Sequence, residues 1–212
     1  MRAATRDRSE TLVIVFARAP APGKAKTRLV PLLGAQGAAR LHARLVELAL
    51  ATAVAARCGP VELHCAPRLR EPFFLGCRKR FGVRLRAQGR GDLGERMHRS
   101  LARALRAADA VLLVGSDCPV LRPADLRRAA LALRSGADAV FAPAEDGGYA
   151  LIGLRRASPR LFAGVDWGAD GVMTQTRARL RGLGWRWREL RTVWDVDRPE
   201  DFLRLRREVR RW

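Results

Sequence analysis

Lysine is almost missing from this chain. Of its 41 basic residues only Lys24, Lys26 and Lys79 are lysines, and the other 38 are arginines. Histidine is scarce too, and His42, His64 and His98 stand far apart. The cysteines, Cys58, Cys65, Cys77 and Cys118, form no C-x-x-C pair. Zinc-ligand spacing is therefore absent, and reduced thiols in a cytoplasmic protein are the expectation. No stretch approaches the ~20 uninterrupted apolar residues of a membrane helix, and MRAATRDRSE at the start has charge but no apolar run behind it. Membrane insertion is not expected. There is one tyrosine, and basic and aromatic residues do not alternate, so a base-stacking platform is excluded. The formal charge of +20 raises nucleic acid as a partner. Arginine is spread over every segment, however, and a general arginine habit accounts for the total without a specific nucleic-acid partner.

What is present is enough apolar residue for one core: 48% of 212 residues, a length that suits a single α/β domain. Residues 1–10 read as a disordered tail and 11–212 as the domain. Short apolar runs predict strands at 11–16, 61–66, 82–86, 110–114, 138–142 and 149–154, with a late strand within 185–194. Helical periodicity marks 35–57, 93–108, 122–134, 170–181 and 199–211. Such a β-α-β series implies a doubly wound, mostly parallel sheet with helices on both faces and ligands beyond the strand carboxyl ends.

Four motifs follow strands. In FARAPAPGKAKTRL the prolines keep the chain out of helix, so Lys24, Lys26 and Arg28 would project to one side of an extended segment, with Arg18 before them. Gly23 would let a ligand approach the backbone. A diphosphate fits there, and so does a solvated turn, though two of three lysines in one loop favour the anion. GSDCP ends an apolar strand on Asp117, placed to hold a hard divalent cation or to cap a turn. PAEDGGYALIGL sets Glu145, Asp146, Gly147 and Gly148 before a strand, as a small-ligand surface or as a hairpin turn. DVDRPEDF puts Asp195 and Asp197 on one side of an extended segment. Glu200 and Asp201 read as compensating the dipole of the last helix.

In order, FARAPAPGKAKTRL, GDLGERM (91–97), GSDCP, PAEDGGYALIGL, LFAGVDW (161–167) and DVDRPEDF resemble the DUF2064 proteins. That bacterial group is named arsenosugar biosynthesis glycosyltransferase-like, within the nucleotide-diphospho-sugar transferase superfamily of GT-A fold. The resemblance implies a Rossmann-like GT-A domain in which Arg18, Gly23, Lys24, Lys26 and Arg28 bind the nucleotide diphosphate. It implies that Gln88, Gly91, Asp92 and Gly94 lie by the base and ribose; Asp92 also suits a helix N-cap. Asp117 stands where such enzymes place a metal-binding carboxylate. The motif here reads Ser-Asp-Cys, one acid short of Asp-x-Asp, and Asp146, Asp195 or Asp197 would complete the Mg²⁺ or Mn²⁺ site. Asp146 or Glu145 would face sugar and acceptor as general base, and Trp167 would stack on a sugar or lie in the core. The implied activity is sugar transfer from a nucleotide-sugar to a small-molecule acceptor. The alternatives are a guanylyltransferase-like nucleotidyltransferase using an NTP, and a non-catalytic nucleotide or nucleic-acid binder.

Overall fold

The computed structural model describes residues 11–208. The tail expected at 1–10 and the last residues of the helix expected at 199–211 lie outside the described residues. Between them run β1 (Thr11–Arg18), α1 (Val30–Ala56), β2 (Val61–Ala66), α2 (Pro72–Phe81), β3 (Arg84–Ala87), α3 (Leu93–Ala104), β4 (Ala110–Gly115), α4 (Pro123–Arg134), β5 (Ala139–Pro143), β6 (Tyr149–Leu154), α5 (Val172–Gly182), β7 (Trp187–Glu189) and α6 (Pro199–Glu208). They form one seven-stranded sheet in the order β3-β2-β1-β4-β6-β5-β7.

Six predicted strands appear, β2 and β6 with the expected bounds and the other four with shifted ends, and β7 occupies part of the late region. β6 alone runs against its neighbours β4 and β5. The physical reason is the short Ala144–Gly148 link: so few residues can close a hairpin, whereas a parallel return needs a crossover. α2 has no counterpart in the sequence reading. Its ten residues carry mixed charge and little apolar periodicity, and its signals are punctuation: Pro72 at the start and Gly82 at φ 67 after the end. α1 starts five residues before its predicted beginning, because a kink at Gly34 joins a short entry turn to the periodic part.

β1 alternates across the sheet. Val13, Val15 and Ala17 enter the core shared with α1, α2 and α4, while Ile14 and Phe16 enter that of α3 and α5. A third cluster positions the site. Leu29 after the opening loop packs with Leu41 and Leu45 of α1 and with Trp194, Val196 and Leu205 near the end of the chain. Leu29, Leu45, Val196 and Leu205 are at most 1% exposed. At about 1.5–3 kcal/mol per buried large apolar side chain, this cluster ties two distant segments together across the sheet edge. No described helix is long and apolar enough to cross a membrane.

A candidate active site at the carboxyl edge of the sheet

The opening loop is not extended. Lys24 N and Ala25 N both donate to Ala21 O, at 3.0 and 3.1 Å, and the resulting turn needs Gly23 at φ 70. Lys26 then takes a left-handed conformation, φ 51 and ψ 46, ahead of a 3-10 turn over Thr27–Leu29. The expectation that Lys24, Lys26 and Arg28 share one solvent-facing side is corrected accordingly. Arg18 and Lys24 are exposed, the Arg28 side chain is 63% exposed, and that of Lys26 is 4% exposed. A left-handed non-glycine residue costs about 1–2 kcal/mol. What holds Lys26 there is an ion pair.

That pair is with Asp117. β4 ends at Gly115, and two residues later the Asp117 Oδ1 lies 2.8 Å from Lys26 Nζ and 3.6 Å from His42 Nδ1. His42 Nε2 is 3.1 Å from Arg18 O, a carbonyl that can only accept, so this nitrogen carries a proton. Burial works against ionisation of Asp117, but the Lys26 ammonium and His42 outweigh it and hold the carboxyl far below the usual carboxylate range. His42 is a site residue that the sequence reading missed. Its signal was one of only three histidines standing among the buried apolar positions of α1.

The last strand-like segment completes the edge. Val196 N donates to Asp117 O at 2.9 Å, Arg28 pairs with Asp197, and Lys26 Nζ is 4.0 Å from Asp197 Oδ1. The sequence separation between Arg28 and Asp197 is 169 residues. Asp195 is in a different state. Burial, with repulsion from Asp117 and Asp146, pushes its carboxyl up to about 7, and its buried Oδ1 has no hydrogen-bond partner among the described residues. Cys118 is pushed up to about 12 by burial and by Asp195, which keeps the thiol unreactive. Asp201 does more than oppose a helix dipole: its Oδ2 accepts from Asp197 N at 3.0 Å and Arg198 N at 2.7 Å, fixing the turn that presents Asp197.

Arg28, Asp195, Asp197 and Asp201 border a cavity of about 520 Å³, which the Lys26–Asp117 pair does not line. Glu145 and Asp146 of the hairpin, Asp170 of the loop before α5, and Asp195, Asp197 and Asp201 supply its acids, against Arg28 and Arg198. Tyr149, Trp167 and Trp194 supply aromatic wall. The β5–β6 link is both of the things it was expected to be: a hairpin turn, with Gly148 N donating to Asp146 Oδ1 at 2.9 Å, and a lining of the cavity. Gly147 is required there. Its φ is 84, and a Cβ would come within 2.7 Å of Gly171 N. Glu145 is held by Arg204 at 2.7 Å, and Arg204 lies over the Trp194 ring at 4.5 Å. Trp167 is core and wall at once, edge-on to Tyr149 with ring centres 6.4 Å apart.

The residues expected by the base and ribose have structural employment. Gln88 is 5% exposed; its Nε2 donates to Ala17 O and His64 O, and its Oε1 accepts from Arg96 at 2.8 Å. Every polar atom of its amide is thus engaged in fastening the ends of β1 and β2, which leaves nothing for a base. Asp92 is the N-cap of α3 in a reciprocal pair with Glu95. A Cβ at Gly91 would strike Glu95 Oε2 at 1.8 Å, and one at Gly94 would meet the Trp167 indole at 2.5 Å. None of the four lines the cavity. Among the described residues no group of three or more His, Cys, Asp or Glu is arranged to hold a metal ion.

The profile of the family described as "Uncharacterized protein conserved in bacteria (DUF2064)" matches residues 49–169, a span that includes Asp117 and Asp146. Among solved structures, the chain is 31% identical to a protein of Desulfovibrio desulfuricans G20 provisionally named a nucleotide-diphospho-sugar transferase. The TM-score is 0.80, over 89% of this chain and 82% of that one. It shares its fold with 4-diphosphocytidyl-2C-methyl-D-erythritol synthase of Anaerococcus prevotii DSM 20548, at 11% identity and a TM-score of 0.61 over 96% and 100% of the two chains. It also shares it with Rv0371c of Mycobacterium tuberculosis H37Rv crystallised with manganese, at 18% identity and a TM-score of 0.56 over 94% and 100%. No curated protein matches the chain.

Proposed function

The chain belongs to the DUF2064 family, and on that premise we propose that it transfers a sugar from a nucleotide diphosphate to a small acceptor. The observation that carries the reading is that Lys26 pairs with Asp117 and approaches Asp197, while Asp197, with Asp195, lines an aromatic-walled cavity. The provisional name of the Desulfovibrio desulfuricans protein supports it. The exposed Arg18 and Lys24, with Arg28, receive the diphosphate, and the cavity takes sugar and acceptor.

The donor set suits a hard divalent cation. Asp195 Oδ1 is buried without a hydrogen-bond partner, and Asp117 faces it closely enough to raise its carboxyl. A metal such as Mg²⁺ is commonly held by one or two carboxylates plus substrate phosphates. Asp117 and Asp195 would hold Mg²⁺ or Mn²⁺, which when bound stabilises the negative charge gathered on the departing diphosphate. The bond between the sugar's anomeric carbon and the phosphate oxygen breaks, its electron pair stays on that oxygen, and the acceptor's hydroxyl or amine forms the new bond. The proton it loses passes to Asp146, a solvent-facing carboxylate on the cavity wall.

Thermal unfolding with nucleoside diphosphates, nucleotide-sugars and NTPs, each with Mg²⁺ or Mn²⁺, tests this. A nucleotide-sugar at a hundred times its Kd should raise Tm by roughly 5–10 °C, and that donor should release nucleoside diphosphate on turnover. A response to NTPs alone would transfer the assignment to nucleotidyl chemistry. No response to any nucleotide would refute both.

A further inference from the structure

The sign of the cavity runs against the composition of the molecule. The chain carries 41 basic residues against 21 acidic ones, yet six carboxylates and only two guanidinium groups border this cavity. Internal pairing does not remove the excess. Arg204 answers Glu145 and Arg28 answers Asp197, the amides of Asp197 and Arg198 engage Asp201, and burial favours the neutral form of Asp195, which leaves Asp146 and Asp170 as lining acids without an ion pair among the described residues. Negative charge lining a cavity inside a protein of +20 attracts a cationic guest and repels an anionic one.

The walls point the same way. The only tyrosine of the chain and two of its five tryptophans border this one cavity, and aromatic faces attract cations within about 6 Å of the ring centre. One of these rings already has such a neighbour, since the Arg204 guanidinium lies 4.5 Å over Trp194. Asp146 and Asp170 come from separate segments that touch at Gly147, where a Cβ would lie 3.3 Å from Asp170 Cα. Both residues are exposed and line the cavity together with Tyr149 and Trp167, whereas Lys26 and Asp117 do not line it.

Resting on the transfer reading above, we propose that the acceptor carries a positive charge: the cavity binds a small organic cation, an amine or a quaternary ammonium, between Asp146 and Asp170 and the rings of Tyr149 and Trp167. The donor's anionic diphosphate and the acceptor's cationic group then occupy separate subsites, each repelled from the other's.

Titration calorimetry with choline and its uncharged isostere 3,3-dimethylbutan-1-ol, in EDTA and again in saturating Mg²⁺, tests the proposal on the intact chain. Choline should bind at least tenfold more tightly than the isostere under both conditions, and Asp146→Asn and Asp170→Asn should each weaken it at least threefold. Equal binding of the two, or binding of neither, overturns it. So does loss of choline binding in Mg²⁺, which would make the acids a metal site alone. Nucleotide affinity measured in parallel separates the claims: choline binding without any nucleotide binding removes the transfer reading and keeps the cation site.

Discussion

A single methyl group at position 94 tests whether the cavity wall is held as described. Gly94 is the second residue of α3, with no positive φ, so alanine meets no backbone strain and by helix propensity alone would stabilise the chain by about 0.5–1 kcal/mol. Its Cβ would, however, stand 2.5 Å from Trp167 Nε1, 2.7 Å from Cζ2 and 2.8 Å from Cε2. The indole has to move. Overpacking of that kind costs about 1–3 kcal/mol, so Gly94→Ala should be destabilising by about 1 kcal/mol net, with a fall in Tm of roughly 2–4 °C. The assay is a double-mutant cycle by thermal unfolding, with indole fluorescence as the local probe. In a Trp167→Leu background the clashing atoms are gone, and Gly94→Ala should become neutral or stabilising, giving a coupling of about 1–3 kcal/mol. Gly94→Ala as stable as the parent, with unchanged fluorescence, would refute the packing argument and return Gly94 to a ligand-contact role.

Two further outcomes follow from the acids. The Asp195 carboxyl is pushed up to about 7 in the folded chain from an ordinary 3.8, so between those values the unfolded chain holds fewer protons and stability falls as pH rises. In EDTA, Asp195→Asn should therefore match the parent near pH 4 and exceed it in Tm by several degrees at pH 8; parallel curves across that range would show that Asp195 ionises normally. Lys26→Met removes the nearest cation from Asp117, whose side chain is 42% exposed; water offsets much of the loss, and about 1–2 kcal/mol is expected rather than the full penalty of a buried orphan charge. Because Asp117 is depressed, its contribution is present above the ordinary carboxylate range and lost as pH falls through and below it. The variant should show a shallower acid-side loss than the parent, and an unchanged acid limb in urea unfolding would contradict the pairing.

β1, β4 and β5 were legible because each is a short apolar run closed by turn residues, and the three site motifs after them because each follows such a run, whereas β3 and β7 are charged. α2 was not legible, since its ten residues lack a consistent apolar stripe and only Pro72 and Gly82 betray it. The orientation of Lys26 was hidden for another reason. Alternation along an extended chain put it toward solvent, but Ala21 O collects two amide protons and turns the segment, a choice decided by local hydrogen bonds that no periodicity reports. Gln88, Gly91 and Gly94 looked like ligand contacts because amides and glycines serve ligands and packing equally well. Only the positions of Arg96, Glu95 and Trp167 distinguish the two uses. His42 escaped because a polar residue on an apolar helix face gains its meaning from the strand opposite.

The joining of Asp117 to Val196, and of Arg28 to Asp197, gives the molecule a temporal property. During synthesis Lys26 and Asp117 leave the ribosome long before the segment that shapes the far wall of the cavity, and contacts of such sequence separation form late. A nascent chain that has folded as far as β6 has a sheet, an ammonium and a carboxylate, but no enclosure for a guest. The far wall, made of Trp194, Asp195, Asp197, Arg198 and Asp201, is the last part of the cavity to be synthesised.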